Sequence, residues 1–290
     1  NGIIHLTAIA GRLGIPVELA RLDALGRETP VLVDLKPSGQ HYMEDFFAAG
    51  GLGAVLRELR PALRLDCLTV TGETLGERID AAPAWVDHAV IRSAADPFQP
   101  SGGLVALFGS LAPGGAILKR SAADARLFEA DGRAVVFDSL ADLAARIDAP
   151  DLDVSPQDFL VLRNAGPRGG PGMPEAGYLP IPQKLARAGV KDMVRISDAR
   201  MSGTAYGTVV LHVTPEAAAG GPLALVRSGD RIRLSLRERR LDLLVDEPKL
   251  ARRRAGLPAN AVPERGYRRL YAEQVLQADE GCDLAFLRGR

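Results

Sequence analysis

The segment with the most unusual composition is the loop at residues 166–175, Gly-Pro-Arg-Gly-Gly-Pro-Gly-Met-Pro-Glu. Glycine permits positive φ angles and close approach of the backbone to a ligand, whereas proline restricts the conformations of the chain. The loop lies between two strongly apolar runs, which favours a rigid, shaped loop over a mobile linker. Its last residue, Glu175, is a hard oxygen ligand suited to Mg²⁺. Residue types alone leave a solvated surface glutamate open as well.

A second candidate is the segment at residues 196–207, which follows an apolar run and contains small and hydroxyl-bearing residues. Asp198, Arg200, Ser202 and Thr204 alternate, so their side chains can project to one side of an extended segment. The alternative interpretation is a hydrogen-bonded turn at the end of a strand. The residues of this segment do not decide between the two.

Other chemistry is poorly represented in the sequence. The four histidines are scattered and assemble no Ser-His-Asp arrangement, and the glycines at 102–115 match neither phosphate-binding motif.

The net charge of the chain is zero, because Lys plus Arg (36) equals Asp plus Glu (36). No surplus of positive charge therefore indicates nucleic acid or an anionic membrane as a partner. No uninterrupted apolar run reaches the roughly 18 residues of a spanning helix. We therefore predict a soluble protein.

The two cysteines, Cys67 and Cys282, are too few and too far apart for a disulfide framework or a zinc site. Inert thiols in a reducing cytoplasm are the simplest interpretation. The chain starts at Asn1 without an initiator Met or a charged signal region, and we expect that it was cut from something longer.

The elements that must position these residues change in character near residue 96. Before it, periodicity predicts helices at 3–13 and 17–25, a buried strand at 31–35, and two helices within 41–59. After it, short apolar runs between glycines and prolines predict strands at 104–108, 116–118, 133–137, 159–163, 193–197, 208–213, 231–236 and 240–245. Helical patterns interrupt them at 139–147, 182–188 and 263–277. This distribution favours a β-barrel or sandwich-like domain with helical covers.

Several separated blocks together resemble the dihydroxy-acid and sugar-acid dehydratases. The blocks are DLKPSGQHYMEDFFAAGG (34–51), GGLVALFGSLAPGGAILKRSAA (102–123), GPRGGPGMPE (166–175) and the run from Val190 to Ile232. They occur in the family's order and cover nearly the whole chain. Two segments are similar to the sugar-acid branch of the family, especially to arabinonate dehydratases. They are DMVRISDARMSGTAYG (192–207) and QADEGCDLAFL (277–287).

The resemblance assigns roles to three residues of this chain. It implies that Glu175 is a ligand of the active-site Mg²⁺, that Ser202 is the catalytic base as an alkoxide, and that Thr204 contacts the substrate. Ser110 departs from the family, which commonly has Asn before Leu-Ala-Pro; this change concerns loop packing more than chemistry.

The resemblance also implies groups that this chain lacks. Family members hold an iron–sulfur cluster, commonly [2Fe–2S], on three cysteines of an upstream region that also supplies an aspartate and a carbamylated lysine to the Mg²⁺ site. Neither cysteine of this chain lies in a matching motif, so we expect no iron–sulfur ligands in it. Asn1 corresponds to an asparagine after a Gly-Ser-Thr stretch, and we expect that roughly the first third or more of the protein is missing.

For the fold, the resemblance implies an α/β protein in two parts. Residues 1–95 would be the end of an α/β amino-terminal domain, and residues 96–290 a swivelling β-barrel-like (β/β/α) carboxyl-terminal domain. For function, it implies a cytoplasmic hydro-lyase that dehydrates a sugar acid, a homodimer or homotetramer when intact, with the present fragment inactive alone. The alternatives are a dihydroxy-acid dehydratase of branched-chain amino-acid biosynthesis, or a non-catalytic binding or assembly module that retains the fold.

Overall fold

The structure, a computed structural model, describes residues 1–173, 175, 179–202, 205–258 and 262–289. These residues divide into two units. The first contains Asn1–Asp23 and Leu104–Arg290, and the second contains Ala24–Gly103. The domain boundary that the sequence predicts between residues 95 and 96 stays a prediction. No helix within the described ranges combines the length and the apolar character that a membrane span requires.

Most helices lie close to where the sequence predicts them, but the helix at Leu75–Ala81 was not predicted. In chain order they are α1 (Gly2–Arg12), α2 (Leu19–Glu28), α3 (Met43–Ala48), α4 (Gly51–Glu58), α5 (Leu75–Ala81), α6 (Leu140–Arg146), α7 (Gln183–Arg187), α8 (Glu247–Ala255) and α9 (Gly266–Gln274). Side chains cap several of them. The Ser139 hydroxyl accepts the Asp142 N–H at the start of α6, and Asp246 accepts the Lys249 N–H at the start of α8. Such caps satisfy backbone donors that have no partner within the helix.

Eight strands form one sheet in the first unit. They are β1 (Leu104–Leu107), β2 (Gly115–Lys119), β3 (Glu129–Phe137), β4 (Phe159–Leu162), β5 (Arg195–Ser197), β6 (Val209–Thr214), β7 (Arg231–Ser235) and β8 (Arg240–Leu243). Their order is β1-β2-β6-β5-β4-β3-β7-β8. Neighbours from β3 to β6 pair in parallel, and the remaining neighbours pair antiparallel.

The two edges of this sheet meet and nearly close it into a barrel. Phe108, just after β1, donates its N–H to the Arg239 carbonyl at 2.9 Å and accepts the Leu241 N–H at 2.9 Å. Ser110 adds to this seam, because its hydroxyl accepts the Leu243 N–H at 2.9 Å. Closure satisfies backbone groups that an open edge would leave unpaired. The predicted mixed α/β fold with a barrel-like sheet is confirmed.

Two apolar cores lie on opposite faces of the sheet. Along β4, Val161 packs in a core with residues of β1, β2, β6, β7 and β8, whereas Leu160 and Leu162 pack with α6 and its neighbours. Successive residues of a strand point to opposite faces, so a strand covered on both sides must be apolar throughout. All four residues of β4 are buried. This explains the uninterrupted apolar run that predicts the strand.

The second unit contains α3, α4 and α5, and a small core of Ala49, Ala54, Val90 and Ile91 lies against α3 and α4. The strand predicted at 31–35 is not formed; the segment makes only single bridges, from Val31 to Gln99, Val33 to Ile91, and Leu35 to His41. The three partners come from different segments, so no continuous ladder can develop. The apolar character of the segment reflects its packing within this unit.

Candidate active site

Two loops leave the sheet side by side, at the carboxyl ends of neighbouring parallel strands. In the register of β4 and β5, Leu162 lies opposite Ser197. The loop after β4 contains residues 166–175, and the segment after β5 contains Ser202. The carboxyl ends of parallel strands meet at one edge of a sheet, where many α/β proteins bind ligands. The two segments singled out in the sequence are therefore brought together by strand pairing.

Glu175 is exposed and makes a hydrogen bond that joins the two segments. Its Oε1 accepts a 2.6 Å hydrogen bond from the Asn1 side-chain amide. The same amide donates to the Met201 carbonyl at 3.0 Å, one residue before Ser202. A single side chain thus connects the candidate ligand to the candidate base.

Glu175 and Ser202 line the same cavity, whose volume is about 570 Å³. Its wall also includes Lys191, Arg195 and Tyr206. Ser202 lines a second cavity of about 280 Å³ with Asn1, Lys119 and His212. Small-molecule sites in proteins commonly have volumes of about 300–1,000 Å³. Thr204, the third predicted site residue, lies outside the described residues.

A buried ion pair supports the segment that carries Ser202. Arg195 donates to Asp192 at 2.9 Å, to the Leu179 carbonyl at 3.0 Å and to the Tyr206 carbonyl at 2.9 Å. Asp192 also accepts the Thr208 hydroxyl at 2.7 Å. Gly207 has a φ of 103°, and a Cβ there would lie 1.9 Å from an Arg195 nitrogen. Glycine is therefore required where this segment crosses the ion pair.

Asp198 is a buried carboxylate between the two loops. It accepts the N–H groups of Asn164 at 3.2 Å, Ala165 at 3.0 Å and Ala217 at 3.0 Å. Burial raises the pKa of Asp198 to about 6, and the negative charge of Glu216 adds to this rise, although the three amide donors oppose it. Asp198 is 1% exposed. It therefore holds backbone and does not face a ligand.

His212 is a second buried group near Ser202, and it was not singled out in the sequence. Its backbone has a φ of 56°, at an irregularity where β6 pairs with β2. The side chain is 7% exposed, and its Nε2 has no hydrogen-bond partner among the described residues. Burial lowers the pKa of His212 to about 3, so the ring is neutral at pH 7.

The sequence interpretation also missed the residues that hold the loop at residues 166–175, the glycine-proline loop. The Glu216 carboxylate accepts backbone N–H groups of the loop, and the Tyr271 hydroxyl accepts one N–H and donates to one carbonyl. Both residues are 40 or more positions away along the chain. Both lie in or near blocks that resemble the dehydratases. Neither has a local motif that would reveal its contact with the loop, because the contact depends on how β6 and α9 pack.

The cysteines are poor candidates for cluster ligands. Cys67 is exposed and Cys282 is partly buried. The Cys282 sulfur lies 3.3 Å from that of Met173, and burial raises the pKa of Cys282 to about 12. Within the described part of the chain, no three or more His, Cys, Asp or Glu side chains are grouped to hold a metal ion.

Two profiles of one protein family match most of the chain. The profile of the dihydroxy-acid/6-phosphogluconate dehydratase C-terminal domain matches residues 89–282. The profile of the corresponding N-terminal domain matches residues 1–78. The chain belongs to the dihydroxy-acid/6-phosphogluconate dehydratase family. The resemblance inferred from the sequence blocks is confirmed.

Individual members of this dehydratase family are similar over the whole chain. An L-arabonate dehydratase of Azospirillum brasilense is 52% identical over 100% of this chain and 51% of its own length. A 6-deoxy-6-sulfo-D-gluconate dehydratase of Pseudomonas putida is 49% identical over 99% of this chain and 50% of its own length. A dihydroxy-acid dehydratase of Ignicoccus hospitalis is 43% identical, over 99% and 52% respectively. The chain spans about half the length of these relatives.

Proposed function

We propose that this chain forms the carboxyl-terminal part of a hydro-lyase that removes water from a sugar acid, such as arabinonate or xylonate, to give a 2-keto-3-deoxy acid. The observation that carries the proposal is that Glu175 and Ser202 line one cavity of about 570 Å³. A sugar acid of five or six carbons fits a cavity of this size. The relatives named for sugar acids are more similar to the chain than the one named for a dihydroxy acid.

Ser202 is proposed to take the proton from C2 of the substrate. The electron pair of that C–H bond forms the C2–C3 double bond, and the hydroxyl on C3 leaves with the electrons of its C–O bond. The enol that remains tautomerises to the 2-keto acid. Serine is a weak acid, so positive charge near its oxygen must favour the deprotonated form. Lys191 lines the same cavity, and Lys119 lines the second one beside Ser202.

Glu175 is proposed to supply one oxygen ligand to Mg²⁺. Its carboxylate is exposed on the cavity wall and accepts a hydrogen bond from the Asn1 amide, and a carboxylate oxygen is a suitable ligand for this cation. Further ligands are proposed to come from outside the described residues, because these contain no group of three or more His, Cys, Asp or Glu side chains that could hold a metal ion. When bound, Mg²⁺ would stabilise the negative charge that develops on the substrate.

The remaining expectations concern the complete protein. We propose a cytoplasmic homodimer or homotetramer that carries an iron–sulfur cluster, [2Fe–2S], on cysteines outside this chain. Among the described residues, neither Cys67 nor Cys282 belongs to a group of three or more metal-ligating side chains.

The proposal is tested by Ser202→Ala in the full-length protein. Loss of a general base lowers turnover by about 10²–10⁴-fold, so we expect kcat for a pentonate to fall at least 100-fold while iron content stays unchanged. Thr71→Ala, which removes an exposed hydroxyl from the second unit, is the control. Wild-type turnover in Ser202→Ala would refute the role of this residue.

A substrate panel separates the proposal from its closest alternative. Pentonates, hexonates and branched 2,3-dihydroxy acids are compared by kcat/KM in the full-length protein. We expect the sugar acids to be preferred. Preference for the branched acids would assign the protein to the dihydroxy-acid branch, and no turnover of any of them would favour a binding or assembly module.

A further inference from the structure

Glu216 is a buried carboxylate that contacts the backbone of the glycine-proline loop. It is 1% exposed. The Arg168 N–H donates to its two oxygens at 2.9 and 3.0 Å, and the Gly169 N–H donates at 3.0 Å. The Gln277 amide donates to it at 2.8 Å. Among the described residues no Lys or Arg is paired with it, so neutral donors, most of them from the loop, compensate its charge.

The glycines of the loop are what allow this contact. A Cβ at Gly166 would lie 2.7 Å from a Glu216 oxygen, and a Cβ at Gly169 would lie 2.6 Å from the backbone of Asn164. Any larger residue at either position would push the loop away from the carboxylate. The composition of the loop therefore matches a backbone that wraps around a buried anion.

Further contacts extend this anchoring towards Glu175. The Tyr271 hydroxyl donates to the Pro167 carbonyl at 2.9 Å and accepts the Gly172 N–H at 2.8 Å. Arg200 donates to the Met173 carbonyl at 2.5 Å. The loop is thus held at intervals up to two residues before Glu175, whose own carboxylate is held by Asn1.

We propose that Glu216 is a positioning residue for Glu175: its carboxylate fixes the glycine-proline loop and thereby the place of the Glu175 carboxylate in the cavity. This inference rests on the proposed function, in which Glu175 is a cation ligand. Hydrogen bonds to a buried charged group are strong and directional. A glycine-rich segment that loses them gains much conformational freedom, and a ligand at its end is then no longer preorganised.

The experiment compares Glu216→Gln with Asp158→Asn in the full-length protein. Glutamine keeps the size of Glu216 but presents a donor to the loop amides. Asp158 is the control, because it is also a buried carboxylate that accepts a backbone N–H, from Ser155, although Arg133 compensates its charge. It precedes β4 and so lies at the opposite end of that strand from the loop. Tyr271→Phe is a milder second variant, in case Glu216→Gln does not fold.

Two measurements are made. Tryptic cleavage after the exposed Arg168, followed by mass spectrometry under native conditions, reports the freedom of the loop. The Kd for Mn²⁺, a spectroscopic probe for the Mg²⁺ site, is measured by electron paramagnetic resonance and does not depend on turnover. For Glu216→Gln we expect cleavage at least 10-fold faster and a Kd at least 10-fold higher. Tyr271→Phe should change both in the same direction, and Asp158→Asn should change neither.

Three outcomes would overturn the inference. They are unchanged cleavage after Arg168 in both loop variants, equal effects in Asp158→Asn, or faster cleavage with an unchanged Mn²⁺ affinity. Glu175→Gln separates this inference from the proposed function. If Glu175→Gln leaves the Mn²⁺ affinity unchanged, the ligand assignment fails, whereas the cleavage rates still decide whether Glu216 anchors the loop.

Discussion

Burial drives two side chains of the first unit towards their neutral forms, with opposite consequences for stability. The pKa of Asp198 rises to about 6 and that of His212 falls to about 3, in both cases chiefly because burial disfavours the charged form. Protonation of Asp198 stabilises the fold as the pH falls below 6. Above about pH 3, His212 binds a proton only when the protein unfolds. Below about pH 6.5 the unfolded chain binds this proton, which favours the unfolded state.

The His212 contribution is measurable with His212→Asn, since asparagine tolerates the positive φ at this position. Native His212 has a depressed pKa, so its stabilising contribution is present above pH 6.5 and is lost as the pH falls. The full loss is about 5 kcal/mol, of which about 2 kcal/mol occurs between pH 7 and pH 5. In urea unfolding, the free energy of unfolding of the wild type should therefore fall by about 2 kcal/mol more than that of the variant between pH 7 and pH 5. His5→Asn, at an exposed histidine, is the control, and parallel pH profiles for wild type and His212→Asn would contradict the prediction.

At the scale of elements, β3 is the strand that connects the two kinds of pairing in the sheet. Residues 129–133 pair antiparallel with β7, and residues 134–137 pair in parallel with β4. At the change of partner, Gly132 packs against Phe159, and a Cβ at Gly132 would lie 2.2 Å from that ring. The missing side chain makes room for a large one on the neighbouring strand.

Gly132→Ala should therefore destabilise the sheet through overpacking, by about 1–3 kcal/mol. Because the clash is with Phe159, the double variant Gly132→Ala/Phe159→Leu should lose less than the sum of the two single losses. Chemical denaturation of the four proteins gives the coupling free energy. If the two losses of unfolding free energy are additive, contact with the Phe159 ring is not the reason that residue 132 is glycine.

At the scale of the whole molecule, the first unit has a nearly closed barrel-like sheet, whereas its described residues supply only some of the groups that the proposed reaction needs. The barrel positions Ser202 and Glu175 at one cavity. In the described ranges no cluster of metal-ligating side chains accompanies them. The chain covers 51% of the L-arabonate dehydratase of A. brasilense. The remaining groups are expected in the part of such proteins that this chain does not span.

The 290-residue chain, purified alone, should accordingly show no dehydratase activity and no visible iron–sulfur absorption. The physical reason is that the described residues group no three or more His, Cys, Asp or Glu side chains to hold a metal ion, and tight binding of a cation needs several such ligands. Ultraviolet–visible spectra and an assay of 2-keto acid formation check this prediction. A coloured or active preparation would mean that residues of this chain suffice to build the cofactor sites.

The sequence by itself determined the β-rich pattern of the first unit and the loops that flank its site. The apolar residues predict the eight described strands to within a few residues, because strands such as β4 are covered on both faces and apolar throughout, whereas β7 and β8 alternate buried apolar with more exposed polar residues. The composition of residues 166–175 predicts a shaped loop, since so many glycines and prolines are incompatible with regular structure. The segment at 31–35 shows the limit, because an apolar run does not specify whether a partner strand exists.

Only the tertiary structure decided which residues surround the site. Parallel pairing of β4 with β5 brings Glu175 and Ser202 to one cavity, and the positions of β6 and α9 bring Glu216 and Tyr271 to the loop. Such contacts join residues 27 to 104 positions apart. They depend on strand order and barrel closure, and neither property is encoded in the spacing of residues along one segment.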